Sequence, residues 1–120
     1  MTLAYHDVYF VSEEMGWTEI DGPRMLAEIY ASMRPGAVLG VVDHVADKGA
    51  PASTGGTLHR LDPDLIIRDI TAVGFLFDGQ SDVLRNFEDD HTRPVFDDSI
   101  RGRTDRVVLR FRKPIKNAKQ

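Results

Sequence analysis

The stretch Met33–His44 reads MRPGAVLGVVDH and contains the end of one predicted element and the whole of the next. Pro35 cannot continue a helix and Gly36 permits a left-handed turn, so Arg34–Gly36 is typical of a helix end. The nearly continuous apolar run Ala37–Val42 indicates a strand that is buried on both faces. The stretch therefore predicts a parallel sheet flanked by helices, with Asp43 and His44 closing the strand.

Toward the amino terminus, the same kind of signal predicts a helix and, before it, a strand. Asp21-Gly22-Pro23 is a helix start, since Asp caps the first turn and Pro is tolerated there. Apolar residues then recur at helical spacing on one face, at Met25, Leu26, Ile29, Tyr30 and Met33. The β-branched and aromatic run Thr2–Phe10 predicts the first strand.

Toward the carboxyl terminus, the pattern repeats once and then changes. Asp62-Pro63 predicts a second helix start, which a stripe at Ile66, Ile70 and Val73 continues and Gly74 ends. We predict a third strand beginning at Phe75–Phe77 and a fourth over Thr104–Arg112, with an irregular polar segment between them. The order β-α-β-α-β-loop-β indicates an α/β fold with parallel strands. No helix is predicted between the last two strands, which allows them to form an antiparallel pair.

Length and composition limit the class of protein. The chain has 120 residues, no Cys, 42% hydrophobic residues and a formal net charge of −4. These values fit one globular domain over residues 1–114 with a frayed basic tail over 115–120, and they exclude a disulfide scaffold and thiolate metal sites. No apolar run approaches the roughly 20 residues of a membrane span. No export signal follows Met1, so the chain as given is expected to be cytoplasmic, although a longer form could carry such a signal.

Charge is unevenly distributed along the chain. The last twenty residues carry a net +7, which leaves −11 for the first hundred. Such a basic segment can bind nucleic acid. However, Arg106, Arg110 and Arg112 partly alternate with apolar residues, which is typical of the solvent face of a strand, and the acidic remainder would repel phosphate. We therefore expect neither nucleic acid nor a membrane as a partner.

Several segments in order resemble one family. The helix end Met33–Gly36 followed by Ala37–Val42 resembles the second half of class I S-adenosylmethionine-dependent methyltransferases, in which a Leu-Lys-Pro-Gly-Gly turn commonly feeds the fifth strand. The segments YHD, VVDH, TLHR and RGRTDRVVLRFRKP resemble a bacterial group of predicted methyltransferases of unknown substrate. The resemblance extends over Thr2–Pro114.

The resemblance implies the C-terminal half of a Rossmann-like methyltransferase sheet. That sheet has the strand order 3-2-1-4-5-7-6 with strand 7 antiparallel, and this chain would supply strands 4-5-7-6 with flanking helices. The cofactor would be S-adenosylmethionine. In the family, the Gly-rich turn that contacts the cofactor follows the first strand of the sheet. This chain has no G-x-G-x-x-G motif, and Gly55-Gly56 is no substitute because no strand directly precedes it.

An incomplete cofactor site leaves two hypotheses about function. The chain is part of a methyltransferase that acts together with an N-terminal half, or it is a truncated, non-catalytic module. In either case the first strand would be an exposed apolar edge that invites pairing. The partner would be a second copy, a separate N-terminal polypeptide, or a preceding part of a longer protein in which Met1 is internal.

The candidate site residues at the carboxyl ends of the predicted strands, where open α/β sheets bind ligands, are Tyr5, His6, Asp7, Asp43 and His44. His59 and Arg60 lie across the following loop. Methyl transfer to a small-molecule acceptor would use His6 or His44 as a base, with Asp7 orienting a histidine or a hydroxyl group. The residues expected to line the site are Tyr5, Asp43, His59 and Arg60. The structural alternative is that these side chains form turns, loop caps and ion pairs.

A metal site is the other chemistry that these residue types permit. Histidine and aspartate suit zinc or iron. However, the chain has no H-x-x-x-H or H-E-x-x-H spacing, and adjacent residues of a strand point to opposite faces. We therefore expect no metal. The lack of a G-x-S-x-G motif argues against a serine hydrolase.

Overall fold

A computed structural model describes residues 1–12 and 14–115 and has a small α/β fold. Its elements in chain order are a 3-10 helix Tyr5–Tyr9, α1 Gly22–Ser32, β1 Val38–His44, α2 Thr54–Thr57, α3 Pro63–Ala72, β2 Leu76–Ser81 and β3 Arg106–Arg112. The α/β class predicted from the sequence is therefore confirmed. Residues 116–120 of the predicted basic tail lie outside the described residues.

The three strands form one sheet in the order β1-β3-β2, and both neighbours of β3 run antiparallel to it. Val38 of β1 lies opposite Arg112, and His44 lies opposite Arg106. The register of β2 against β3 shifts around Gly79, whose φ of +136° favours glycine. The predicted antiparallel pair of the last two strands is confirmed. The predicted parallel sheet is wrong: both ladders among these three strands are antiparallel, because β3 lies between β1 and β2 and separates the two strands that run in the same direction.

Both predicted helix starts are confirmed by their caps. The Asp21 side chain accepts a hydrogen bond from the backbone N–H of Arg24 at 3.1 Å, and Asp62 accepts from Asp64 at 3.0 Å. Each cap is followed by a proline in the first turn of its helix. These local contacts explain why α1 and α3 could be located from sequence alone.

The core lies between the helices and one face of the sheet. Leu26 of α1 and Ile70 of α3 are completely or almost completely buried and belong to the same hydrophobic cluster as Val41 and Leu109 of the sheet. The prediction that the β1 strand is buried on both faces is wrong for its first half, since Val38 is 48% exposed. Burial on both faces begins only toward the carboxyl end of β1, where the candidate site lies.

The predicted strand over Thr2–Phe10 is wrong. Only Thr2 pairs with β1, through an isolated parallel bridge to Val42, and Leu3 then takes a left-handed φ of +54° that ends the pairing. The next residues form the 3-10 helix, because the backbone N–H of His6 donates to the Asp43 side chain instead of to a neighbouring strand. The prediction of self-association rested on an exposed first strand. In place of that strand, the structure has a single bridge between Thr2 and Val42.

Among the described residues, no helix combines the length and the apolar character that crossing a bilayer requires.

Candidate functional site

Four of the predicted site residues line one cavity of about 310 Å³, which we call the histidine pocket. Its lining residues are Leu3, His6, Asp7, His44, His59, Val95, Phe96, Arg101 and Gly102. They come from the 3-10 helix and the segment before it, the carboxyl end of β1, the segment after α2 and the long loop between β2 and β3. The predicted convergence of His6, Asp7, His44 and His59 is therefore present, although the 3-10 helix replaces the predicted first strand.

Asp43 lies behind the pocket wall and orients His6. Its Oδ1 is 2.7 Å from His6 Nδ1, and its Oδ2 accepts the backbone N–H of His6 at 2.8 Å. The Asp43 side chain is completely buried. Since both carboxylate oxygens bind the same residue, the ring of His6 is fixed in orientation, with Nε2 directed away from Asp43.

A second carboxylate faces the other side of the His6 ring. Asp7 Oδ1 lies 3.3 Å from His6 Nε2. Burial disfavours the charged imidazolium, but the hydrogen bond with Asp43 and the negative charges of Asp43 and Asp7 outweigh burial and raise the pKa of His6 above its ordinary value. His6 is therefore suited to hold a proton between two carboxylates.

His44 is a neutral neighbour of His6. The two rings lie 5.7 Å apart between centroids, and His44 Nδ1 is 2.7 Å from Thr104 Oγ1. Burial lowers the pKa of His44 to about 4, so the imidazole is uncharged at pH 7. His44 lines the pocket without adding charge.

His59 lies above His6 on a constrained backbone. It follows α2 with a left-handed φ of +58°, a conformation that costs energy for any residue with a side chain. Its ring stacks on Phe10 at 5.6 Å and contacts Phe96 edge-on at 5.2 Å. Burial lowers the pKa of His59, and its Nδ1 is 3.9 Å from Asp7 Oδ1.

Tyr5 and Arg60 lie outside the histidine pocket. Arg60 is completely buried and forms a two-pronged ion pair with Asp89, with N–O distances of 2.7 and 3.0 Å. The Tyr5 hydroxyl donates to Asp69 at 3.0 Å and lines a separate, mainly apolar cavity of about 420 Å³ near α1 and α3. The contacts of both side chains are those of structural residues.

Sequence reasoning missed three residues around the pocket. Thr104 binds His44, and Phe10 and Phe96 hold the His59 ring. Thr104 is the first residue of the predicted last strand. That position alone does not indicate a contact with His44. The two phenylalanines carried no signal, since an aromatic residue in a strand or loop is most simply a packing residue.

The glycines of α2 serve packing instead of forming a cofactor cradle. A Cβ added at Gly55 would lie 2.7 Å from the carbonyl oxygen of His6, and one at Gly56 would lie 3.0 Å from that of Tyr9. The pair therefore lets α2 approach the 3-10 helix. Within residues 1–12 and 14–115, no strand is followed directly by a Gly-rich turn, so these residues do not fit a complete S-adenosylmethionine site.

No family model, curated protein or solved structure matches this chain.

Proposed function

We propose that the chain supplies the acceptor-binding side of an S-adenosylmethionine-dependent methyltransferase and is the C-terminal part of such an enzyme. The observation that supports this most is the sheet order β1-β3-β2 with an antiparallel central strand. The resemblance of the sequence implies the same order for the last three strands, 5-7-6. The histidine pocket opens at the carboxyl end of β1, where ligands of open α/β sheets bind.

In this proposal the pocket binds a small-molecule acceptor, and its volume of about 310 Å³ is at the lower end of the range for such sites. S-adenosylmethionine, held by the missing part of the site, would supply a methyl group that is already activated on a sulfonium. The residues of the chain bind the acceptor hydroxyl or amine and receive its proton at His6 Nε2. Asp43 holds the opposite ring nitrogen, and Asp7 stabilises the imidazolium that results.

The cofactor grip has to come from elsewhere, because the described glycines do not form a cradle. We propose that a polypeptide with a Gly-rich turn, either a separate chain or a preceding segment, completes the sheet on the side of Thr2. The bridge between Thr2 and Val42 supports this, since residues 1–3 already lie parallel to β1 along that edge, in the direction that the completed sheet would need. The isolated chain should therefore bind S-adenosylmethionine weakly.

The test is methyl transfer by the chain produced together with the polypeptide encoded immediately upstream. Transfer of a labelled methyl group from S-adenosylmethionine to a small-molecule extract is measured with each polypeptide alone and with both. We expect transfer only with both, and a loss of roughly 10²- to 10⁴-fold with His6→Gln, the size typical of a lost general base. Asp98→Asn, at an exposed residue outside the pocket, is the control and should retain activity.

Three results would contradict the proposal. Absence of transfer with both polypeptides would refute methyl transfer, and full activity of His6→Gln would refute the role of His6. Tight binding of S-adenosylmethionine by the isolated chain would refute the incomplete cofactor site. A chain that sediments as a stable dimer and never supports transfer would fit the non-catalytic module instead.

A further inference from the structure

We propose that His6, Asp7 and His59 together bind one divalent transition-metal ion, with zinc the best match to two imidazoles and a carboxylate. The proposal concerns binding by this chain alone and does not depend on methyl transfer. The ion would occupy the same Nε2 lone pair of His6 that receives the acceptor's proton in the proposed function, so the two are alternative uses of this atom. It also reverses the expectation from the sequence, which argued against a metal because His6 and Asp7 were placed on opposite faces of a strand. The 3-10 helix brings both side chains to the same cavity.

The potential ligand atoms are already close to the required separations. His6 Nε2 and Asp7 Oδ1 are 3.3 Å apart, Asp7 Oδ1 and His59 Nδ1 are 3.9 Å apart, and all three residues offer ligand atoms within 4.8 Å of one another. Around a tetrahedral zinc ion with bonds of about 2.0–2.1 Å, neighbouring ligand atoms lie about 3.3 Å apart. Small rotations of Asp7 and His59 would therefore complete the geometry.

Asp43 provides the second layer of contacts that metal-binding histidines commonly have. A histidine that binds a metal through one ring nitrogen usually donates the other N–H to a carboxylate, which fixes the tautomer. The contact of 2.7 Å between His6 Nδ1 and the buried Asp43 Oδ1 has this form. In the tautomer that carries its proton on Nδ1, the lone pair of Nε2 faces the Asp7 carboxylate at 3.3 Å, and a cation between these two atoms would bind both.

His59 occupies a position at which glycine would be the less strained residue. Its φ of +58° at the end of α2 is typical of the glycine that ends many helices. Phe10 and Phe96 hold the ring in place over His6 and Asp7. Strained backbone at a cluster of ligating side chains is a frequent feature of binding sites. In this proposal, metal binding by the His59 ring offsets the energetic cost of its left-handed backbone.

The site would keep an open coordination position. Three protein ligands around a four-coordinate ion leave one position for water or a small molecule, as in catalytic rather than structural zinc sites. The histidine pocket adjoins the three ligands and offers the space for that fourth group. His44 does not compete for the ion through Nδ1, since this atom binds Thr104.

The test titrates the chelator-treated chain with Zn²⁺ by calorimetry and with Co²⁺ by visible absorption. We expect one ion per chain and a Co²⁺ spectrum of low coordination number. Asp7→Asn and His59→Gly each remove one ligand and should weaken binding by tenfold or more. The His59→Gly variant suits the left-handed backbone, and Asp7 is partly exposed, so both variants should keep the fold.

Asp98→Asn is the matched control for Asp7→Asn, because Asp98 is an exposed aspartate that does not line the pocket. It should bind the ion as tightly as the unchanged chain. Circular dichroism checks the fold of each variant. Absence of binding by the unchanged chain would refute a metal site at these residues. Equal binding by both ligand variants would place the ion elsewhere, and either result would overturn the proposal.

Discussion

Gly55 is the residue that determines how closely α2 approaches the 3-10 helix. A Cβ at this position would meet the His6 carbonyl oxygen at 2.7 Å, Tyr9 Cβ at 3.1 Å and Leu61 Cδ2 at 3.2 Å. The nearest of these atoms belongs to backbone, so the contact cannot be relieved by rotating a side chain. The position of His6 in the pocket therefore depends on Gly55 of α2 having no side chain.

We predict that Gly55→Ala lowers the free energy of unfolding by about 1–3 kcal/mol, as overpacking usually does. Gly40→Ala is the control, because nothing lies within 4 Å of the added Cβ and the residue is inside β1. It should leave stability unchanged or raise it by up to about 1 kcal/mol, since alanine is preferred to glycine in a strand. Urea denaturation measures both, and equal effects would contradict the packing argument.

The residues of the pocket were only partly accessible to sequence reasoning. His6, Asp7, His44 and His59 could be proposed because polar residues at the ends of predicted strands tend to converge. Arg60 stood beside His59 in the same motif, yet its position depends on Asp89, which is 29 residues away in sequence. A buried ion pair over such a separation has no local signal.

At the scale of elements, the two long helices begin in the same way but are anchored differently. Asp21 caps α1 at an exposed position through a single contact, to the N–H of Arg24. Asp62 is buried, and while one oxygen caps α3 the other accepts the backbone N–H of Gly49 at 2.8 Å. One side chain thus joins α3 to the loop that follows β1.

We predict that Asp62→Ala costs roughly 2–3 kcal/mol of stability, because it removes a helix cap and leaves the N–H of Gly49 without its acceptor. Asp21→Ala removes only a cap and should cost about 1 kcal/mol. Thermal or urea denaturation of both variants gives the comparison. A loss at Asp62 no greater than that at Asp21 would mean that the contact with Gly49 contributes nothing.

Elements with local signals were predictable, and the element without them was not. The starts of α1 and α3 follow from Asp and Pro at fixed positions. The run Thr2–Phe10 has strand composition, but His6 finds its backbone acceptor in Asp43 and Leu3 turns the chain at φ +54°. Tertiary contacts decided between strand and 3-10 helix, and β propensity is weak against such contacts.

At the scale of the whole molecule, buried charge holds the long loop between β2 and β3 against the rest of the fold. Asp89 accepts hydrogen bonds from the Arg60 side chain and from the backbone N–H of Asp105. The Asp105 side chain in turn accepts a hydrogen bond from Arg85 and contacts the His91 ring. Burial alone would raise the pKa of Asp89 and of Asp105, but the hydrogen bonds and the neighbouring positive charges lower both. The two carboxylates are therefore needed in their charged form.

The chain should accordingly lose stability in acid. Since the pKa of each carboxyl is lower in the folded than in the unfolded state, the unfolded chain binds more protons below about pH 5. The stabilisation is complete above the ordinary aspartate pKa of about 4 and disappears as the pH falls through the lowered folded values. Urea denaturation at a series of pH values from 7 to 2 measures the decline, and a flat profile would contradict it.

Asp89→Asn tests the source of this dependence. It leaves the Arg60 charge buried without its partner, so we expect a loss of about 3–5 kcal/mol at pH 7 and a shallower decline in acid. Asp98→Asn, at an exposed aspartate of the same loop, is the control and should change stability by less than about 0.5 kcal/mol with the acid slope unaltered.

The position of β3 has a consequence for how the protein is made. Its residues 106–112 are the last of the three strands to be synthesised, yet they lie in the centre of the sheet and pair with both β1 and β2. Until they leave the ribosome, neither of the earlier strands has its partner, and the backbone N–H and C=O groups of both remain unpaired. Folding must then close loops as long as that between Val38 and Arg112, which favours slow folding and a need for protection of the nascent chain.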